Sequence, residues 1–278
     1  MDATTGAAVG ATTGAPMTRR EARSLQAVTT AGTKPPRSRL SVTGVLGEVL
    51  ITAGVAVMLF LGWYIWFGDV VASTEQQQAG EVVQQELQDR WERGEAISDR
   101  PVEPGEPVIS TPSPVGEVFG ALIVPRFGPD WVRSIASGVD LKTVLNSYTV
   151  GVGHYVDSQM PGDLGNFAIA GHRRTYGSAF GTIDQLRLGD RIYVETVDGW
   201  YEYSFRGLEY VWPTGVDVLA PVPAEPGLAA TDRVLTMTSC NPRFSTAERI
   251  IAYAVYETWY PRAGGPPPEI AAVVQARG

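Results

Sequence analysis

One thiol, two imidazoles and a handful of arginines are the side chains of this 278-residue sequence whose chemistry could be combined in one site. Cys240 is the single cysteine, and His154 and His172 are the two histidines. The thiol sits in RVLTMTSCNPRFSTAERIIAYAVY, residues 233–256. This stretch reads as two β-type runs, residues 233–239 and 248–256, joined by the turn formers Asn241, Pro242, Arg243, Phe244 and Ser245. A strand period of two puts Val234, Thr236, Thr238 and Cys240 on one face, and Arg249, Ile251, Tyr253 and Val255 on one face of the returning run. A thiol at a strand end and a guanidinium opening the next strand would then face one groove. Taken alone, each residue has an ordinary reading: most free cysteines are small buried hydrophobes, most loop histidines lie at the surface, and arginine is common on exposed strands. Together they suit attack on a carbonyl. A thiolate is the nucleophile, an imidazole moves the proton, and a fixed cation stabilises the oxyanion.

Thr236-Met237-Thr238-Ser239-Cys240 resembles the TLxTC signature of sortases, with Met237 where leucine is usual and Ser239 where threonine is usual. Ala170-Gly171-His172-Arg173 resembles the segment that carries the catalytic histidine in that family. The continuation from Cys240 to Ser245, followed by Arg249-Ile250-Ile251, is most similar to the class E branch of actinobacteria. The resemblance covers residues 116–260 and implies a catalytic set of Cys240 as nucleophile, His172 as the proton donor to the leaving amine and Arg249 as oxyanion partner. Arg243, three positions from the thiol, is the alternative cation. His154, in Gly151-Val152-Gly153-His154-Tyr155, is the rival imidazole. We expect a glycine-rich turn to place it, with Tyr155, in the substrate wall, where Thr238, Ser239 and Asn241 would also bind substrate. No carboxylate stands out as a third member of a triad, which fits a Cys-His-Arg site; a papain-like triad would need an Asn or Asp orienting the histidine.

The resemblance further implies a membrane-anchored cysteine transpeptidase that cleaves a carboxy-terminal sorting signal of LAxTG or LPxTG type between Thr and Gly. The implied partners are surface proteins bearing that signal and a peptidoglycan precursor or other amine acceptor. Hydrolysis of the same thioester would use the same residues. A catalytically idle, membrane-tethered barrel that binds cell-wall peptides is the alternative from another class. An L,D-transpeptidase fits less well, because its histidine and cysteine lie close in sequence and here they are 68 positions apart.

To position this chemistry the chain offers many short β-type runs between Gly and Pro turns. They lie at residues 116–124, 131–137, 166–170, 191–197 and 200–212 as well as around the thiol. Asp198-Gly199 marks a hairpin, Asp140 caps a short helix over residues 140–145, and residues 179–186 suggest a helical turn. The expected fold class is all-β: an eight-stranded barrel with a few short helices, preceded by an amino-terminal transmembrane helix.

Residues 49–67 are nineteen residues without a charge, long enough as a helix to span roughly 28 Å of hydrocarbon, with Trp63, Tyr64 and Trp66 at the far end. The run exceeds a signal-peptide core and no small-x-small site follows it, which favours an uncleaved anchor. Residues 1–48 carry a net charge of +3 and the remainder −11, which suggests two different surroundings, and the basic residues before the run with Asp69 and Glu75 after it place the amino terminus in the cytoplasm and the rest outside. The expected organisation is therefore a disordered basic tail (1–40), a transmembrane helix (41–68), a juxtamembrane helix and proline-rich spacer (69–115), a catalytic domain (116–261) and a disordered tail (262–278). In the helix, Val83, Leu87 and Trp91 form the apolar stripe. A net charge of −8 argues against nucleic acid as a partner, and no metal-ligand spacing or phosphate-binding glycine loop calls for a cofactor.

Overall fold

The structure is a computed structural model that describes residues 41–96 and 106–275. The tail expected over residues 1–40 lies outside them, as do residues 97–105 and 276–278. The chain divides into two compact units, residues 1–56 and residues 57–278.

Eight strands close a barrel in the second unit: β1 (Val118–Ile123), β2 (Val132–Ser137), β3 (Val152–His154), β4 (Gly165–Gly171), β5 (Arg191–Glu195), β6 (Gly199–Val211), β7 (Arg233–Asn241) and β8 (Glu248–Pro261). Their order round the barrel is β1-β2-β3-β4-β7-β8-β6-β5. The pairs β2/β3 and β4/β7 are parallel; the others are antiparallel. Closure leaves no unpaired sheet edge. The alternation in β7 and β8 explains which way each strand faces. Leu235 and Met237 are buried with Ile250, Ala252 and Ala254 in the barrel core, so Thr236, Thr238 and Cys240 take the outer face. Burying a Leu or Met side chain contributes about 1.5–3 kcal/mol, which holds this register against a one-residue slip. Asp140 caps a single π-type turn, Leu141–Leu145, accepting from Lys142 N and Thr143 N.

Three expectations are corrected. Residues 152–154 are not a glycine-rich turn but strand β3, because β2 and β4 both pair with them. The described part of the proline-rich stretch is not a free spacer but lies against the barrel. Val108 packs against the barrel core and Ser110 Oγ donates to Asp198 Oδ2 at 3.2 Å. Finally, residues 262–275 are not a loose tail. They form a turn (Arg262–Gly264) and a short helix, Ala271–Gln275, while Ile270 is buried beside Tyr193 and Trp200.

A long helix, α1 (Val42–Glu92), contains a segment long and apolar enough to cross a membrane. Beyond that segment its buried residues include Ala72, Gln76, Gln84 and Leu87, a helical stripe of mixed polarity. Of the apolar stripe expected there only Leu87 is buried; Val83 packs at the margin of a cluster. Polar side chains hold the helix on the barrel. Arg133 of β2 donates to Gln77 Oε1 (2.8 Å) and Ser73 Oγ (2.9 Å). Gln84 Nε2 donates to Glu195 Oε2 (2.6 Å), and Arg262 Nη1 to Gln88 Oε1 (3.1 Å). Glu195 also pairs with Arg262 at 2.9 Å with both side chains buried, so removing either charge would cost about 3–5 kcal/mol.

Candidate active site

Three neighbouring strands bring the thiol, one imidazole and one guanidinium into a single row. In the antiparallel pair β7/β8, Cys240 lies directly opposite Arg249, with Thr238 opposite Ile251 and Thr236 opposite Tyr253. In the parallel pair β4/β7, Ala170 is level with Thr238. Two residues further along each strand stand His172 and Cys240. Ser239 Oγ donates to Gly171 O at 2.8 Å, and Arg173 Nη1 to Asn241 Oδ1 at 2.8 Å, so the two strand ends stay together up to and past this level. Adjacent strands lie about 4.8 Å apart, which puts His172 on one side of the thiol and Arg249 on the other.

His172 is partly buried, and its Nε2 lies 2.7 Å from Asn146 Oδ1, at the end of the Asp140-capped turn. A carboxamide oxygen only accepts, so Nε2 carries the proton of the neutral ring and Nδ1 is the nitrogen left for proton transfer. Burial pulls the imidazole below its usual range, and the nearby Asp69 carboxylate partly offsets this. The ring is therefore mostly neutral near pH 7. The Tyr176 ring lies against it, centroids 5.5 Å apart and planes tilted by 32°. The sequence did not reveal the Asn146 contact: it comes from 26 positions away on a separate element, and it gives His172 an asparagine partner where none was expected.

Cys240 is partly exposed. Arg249 Nη1 donates to Thr246 O (3.1 Å) and Glu248 O (3.0 Å), and among the described residues its Nε and Nη2 have no hydrogen-bond acceptor. Arg243 lies exposed in the β7–β8 loop. In that loop Phe244 is 80% exposed, with the Arg174 guanidinium 4.7 Å from its ring centre, so the loops that flank the thiol touch each other.

The structure separates the residues expected to bind substrate. Tyr155 lies on the same outer face as Thr238 and Cys240, its hydroxyl 3.1 Å from Thr238 Oγ1. His154 points the other way, as a period of two requires, and is buried between Phe119 and Phe167 with ring centroids at 5.7 and 5.1 Å. Its Nε2 donates to Gln159 O at 3.0 Å, and burial lowers its pKa. His154 is thus a satisfied core histidine and not part of a substrate wall. Ser239 is buried, and its hydroxyl serves the latch to β4. Asn241 is engaged at both ends, by Arg173 and by Glu248 Oε2 (2.9 Å). Ser239 and Asn241 therefore both tie strand ends together.

A closed eight-stranded barrel with a thiol, an Asn-oriented imidazole and a guanidinium across three adjacent strands defines a protein built around a single cysteine. The sortase-domain family model matches residues 122–257. Sortase SrtE1 of Streptomyces coelicolor is 34% identical over 259 residues, 91% of this chain and 66% of that protein, slightly under two thirds of its length. Among solved structures, the SrtA sortase of Actinomyces oris aligns at 38% identity with TM-score 0.56, covering 59% of this chain and 93% of that one. Sortase E1 of S. coelicolor, solved with a tripeptide in its active site, aligns at 36% identity with TM-score 0.51, covering 56% and 97%. The chain belongs to the sortase family, among relatives of the Streptomyces class E enzymes.

Proposed function

We propose that the protein is a membrane-anchored cysteine transpeptidase. It would cleave an LAxTG- or LPxTG-type sorting signal between Thr and Gly and pass the acyl group to a cell-wall amine. The observation that carries this reading is the register that sets Cys240 opposite Arg249 and level with His172. In the reaction, Nδ1 of His172 takes the thiol proton and Cys240 Sγ attacks the threonine carbonyl carbon. The oxyanion is held by the free donors of Arg249. The C–N bond then breaks, the proton passes from His172 to the departing glycine nitrogen, and a thioester remains. An incoming amine attacks the thioester, loses its proton to His172 and releases the thiol. Asn146 keeps the ring in the tautomer this needs. Tyr155 and Thr238 would line the peptide groove, and the tripeptide held by Sortase E1 supports a peptide as ligand. The apolar segment of α1 would be a single anchor with the basic amino terminus in the cytoplasm and the barrel outside.

Incubating the purified chain with a fluorogenic sorting-signal peptide, with and without an amine acceptor, tests this. We expect cleavage that stops in Cys240→Ala, and a ligated product when the amine is present. Cleavage without ligation at any amine concentration would leave a hydrolase, and no cleavage of either signal type would favour the non-catalytic binder.

A further inference from the structure

The loop that leaves His172 is held in a conformation its own sequence does not favour. Thr175, Tyr176, Gly177 and Ser178 all have positive φ, at 68°, 47°, 81° and 47°. Three of the four are not glycine, and a run of left-handed non-glycine residues persists only where the surroundings impose it. Those surroundings are on α1. Gln76, fully buried, gives both protons of its Nε2 to backbone carbonyls: one to Tyr176 O at 2.8 Å, the other to Ser147 O at 2.8 Å. Asp69, two turns earlier on the helix, accepts from Gly177 N at 3.0 Å and from Ser178 Oγ at 2.7 Å. The carboxamide is seated between two glycines of left-handed φ. A Cβ at Gly151 would stand 2.4 Å from Gln76 Nε2, and one at Gly177 would stand 2.3 Å from Gln76 Oε1. One side chain of the helix therefore joins the Asn146 loop, through Ser147, to the His172 loop, through Tyr176.

Both loops bear on the imidazole. Asn146, next to Ser147, accepts from its Nε2, and the Tyr176 ring lies against its face. We propose that Gln76, with Asp69 in support, is a positioning residue for His172, so that the helix carrying the apolar segment is also part of the catalytic unit. This rests on the role given to His172 above. It has a spatial consequence as well. Gln76 follows the end of the uncharged run at Phe67 by nine residues, or about 14 Å along the axis, so the helix fixes how far beyond that run the histidine loop is held. A loop ordered by its own residues would have no need of the helix; this one draws three of its hydrogen bonds from it.

Two histidines in the chain make the test clean, because selective labelling gives one signal from His172 and one from the buried His154 as an internal reference. The titratable groups round His172 are Asp69 on α1, Tyr176 on its own loop and Cys240 on β7, with Arg249 beyond it. The full chain in detergent micelles is compared with Gln76→Met, which keeps the length and removes both donors, and with Gln88→Met, which loosens the same helix at Arg262 instead. In Gln76→Met we expect kcat to fall about 10- to 100-fold with KM nearly unchanged, as a misplaced catalytic group does. The His172 titration should move up towards an ordinary histidine as water reaches the ring, while His154 stays put. Gln88→Met should change neither. A folded Gln76→Met with wild-type kcat and wild-type His172 titration overturns the proposal. So does a fall in kcat with the titration unmoved, or an equal effect from Gln88→Met. If Gln76→Met does not fold, Ser178→Ala loosens the same turn from its other side and is read the same way. If the wild-type chain cleaves no peptide, the functional reading fails and the titration still decides whether Gln76 sets His172.

Discussion

The two histidines stand on neighbouring strands, one at the end of β3 and one just past the end of β4, and burial lowers the pKa of both. They differ in the side of the barrel they face. His154 turns inward between Phe119 and Phe167 and gives its Nε2 proton to a backbone carbonyl. His172 lies on the outer side, level with the thiol, with an asparagine oxygen on one nitrogen and the other left for chemistry. A depressed pKa therefore does not distinguish the two rings; what distinguishes them is which face of a two-residue period each occupies and what stands opposite.

The sharpest way to break this contrast is to remove each ring in turn. We expect His172→Ala to lower kcat about 100- to 10,000-fold, the range of a lost general acid and base, with the melting temperature nearly unchanged. His154→Ala should do the reverse. Steady-state kinetics and thermal melts of the two variants decide it, and an exchange of the two outcomes would mean that the inner ring is the active one. On the other side of the thiol, Arg249→Lys should lose about 100- to 1,000-fold in kcat, because lysine replaces a rigid fork with a point charge. Arg243→Lys, in the exposed loop, should stay near wild type. A severe Arg243 defect beside a normal Arg249 variant would move the oxyanion role to the loop.

Smaller in consequence for the reaction is the cost of the inner ring. His154→Ala should destabilise the barrel by about 3 kcal/mol through the cavity it leaves and the hydrogen bond it breaks. Chemical denaturation measures this directly, and a loss below about 0.5 kcal/mol would place the ring outside the core. The smallest effect is a shift in pH. Burial disfavours the charged form of His172, so the basic form persists to lower pH than in a free histidine. The acid limb of kcat/KM, which reports the free protein, should therefore fall below about 6.5, the ordinary histidine value. A limb above that value would mean that Asp69 outweighs burial.

The strand register around Cys240 was legible because a strand period of two is strict. The face Val234-Thr236-Thr238-Cys240 and its partner face Arg249-Ile251-Tyr253-Val255 meet residue for residue in β7/β8. The Asp198-Gly199 hairpin and the Asp140 cap followed from turn and cap chemistry in the same way. What escaped depends on contacts between elements that no local pattern encodes. Asn146 reaches His172 from 26 positions away, and Gln76 reaches Tyr176 from 100. The docking face of α1 is hidden for a related reason: polar side chains, Gln76 and Gln84 among them, occupy much of the face buried on the barrel, so it does not show as an apolar stripe. Gly151 and Gly153, which precede His154, suggest a turn, and only the pairing of β3 on both sides makes that segment a strand.

The central claim is that Cys240, in its row with His172 and Arg249, forms the covalent bond. Intact-mass spectrometry after mixing the full chain with a sorting-signal peptide, followed by peptide mapping, tests it most directly. We expect an added mass equal to the peptide up to and including its threonine, mapped to Cys240, cleared by an amine and absent in Cys240→Ala. Peptide cleaved at an undiminished rate by Cys240→Ala, or with no adduct on Cys240 under conditions that trap a thioester, would contradict it.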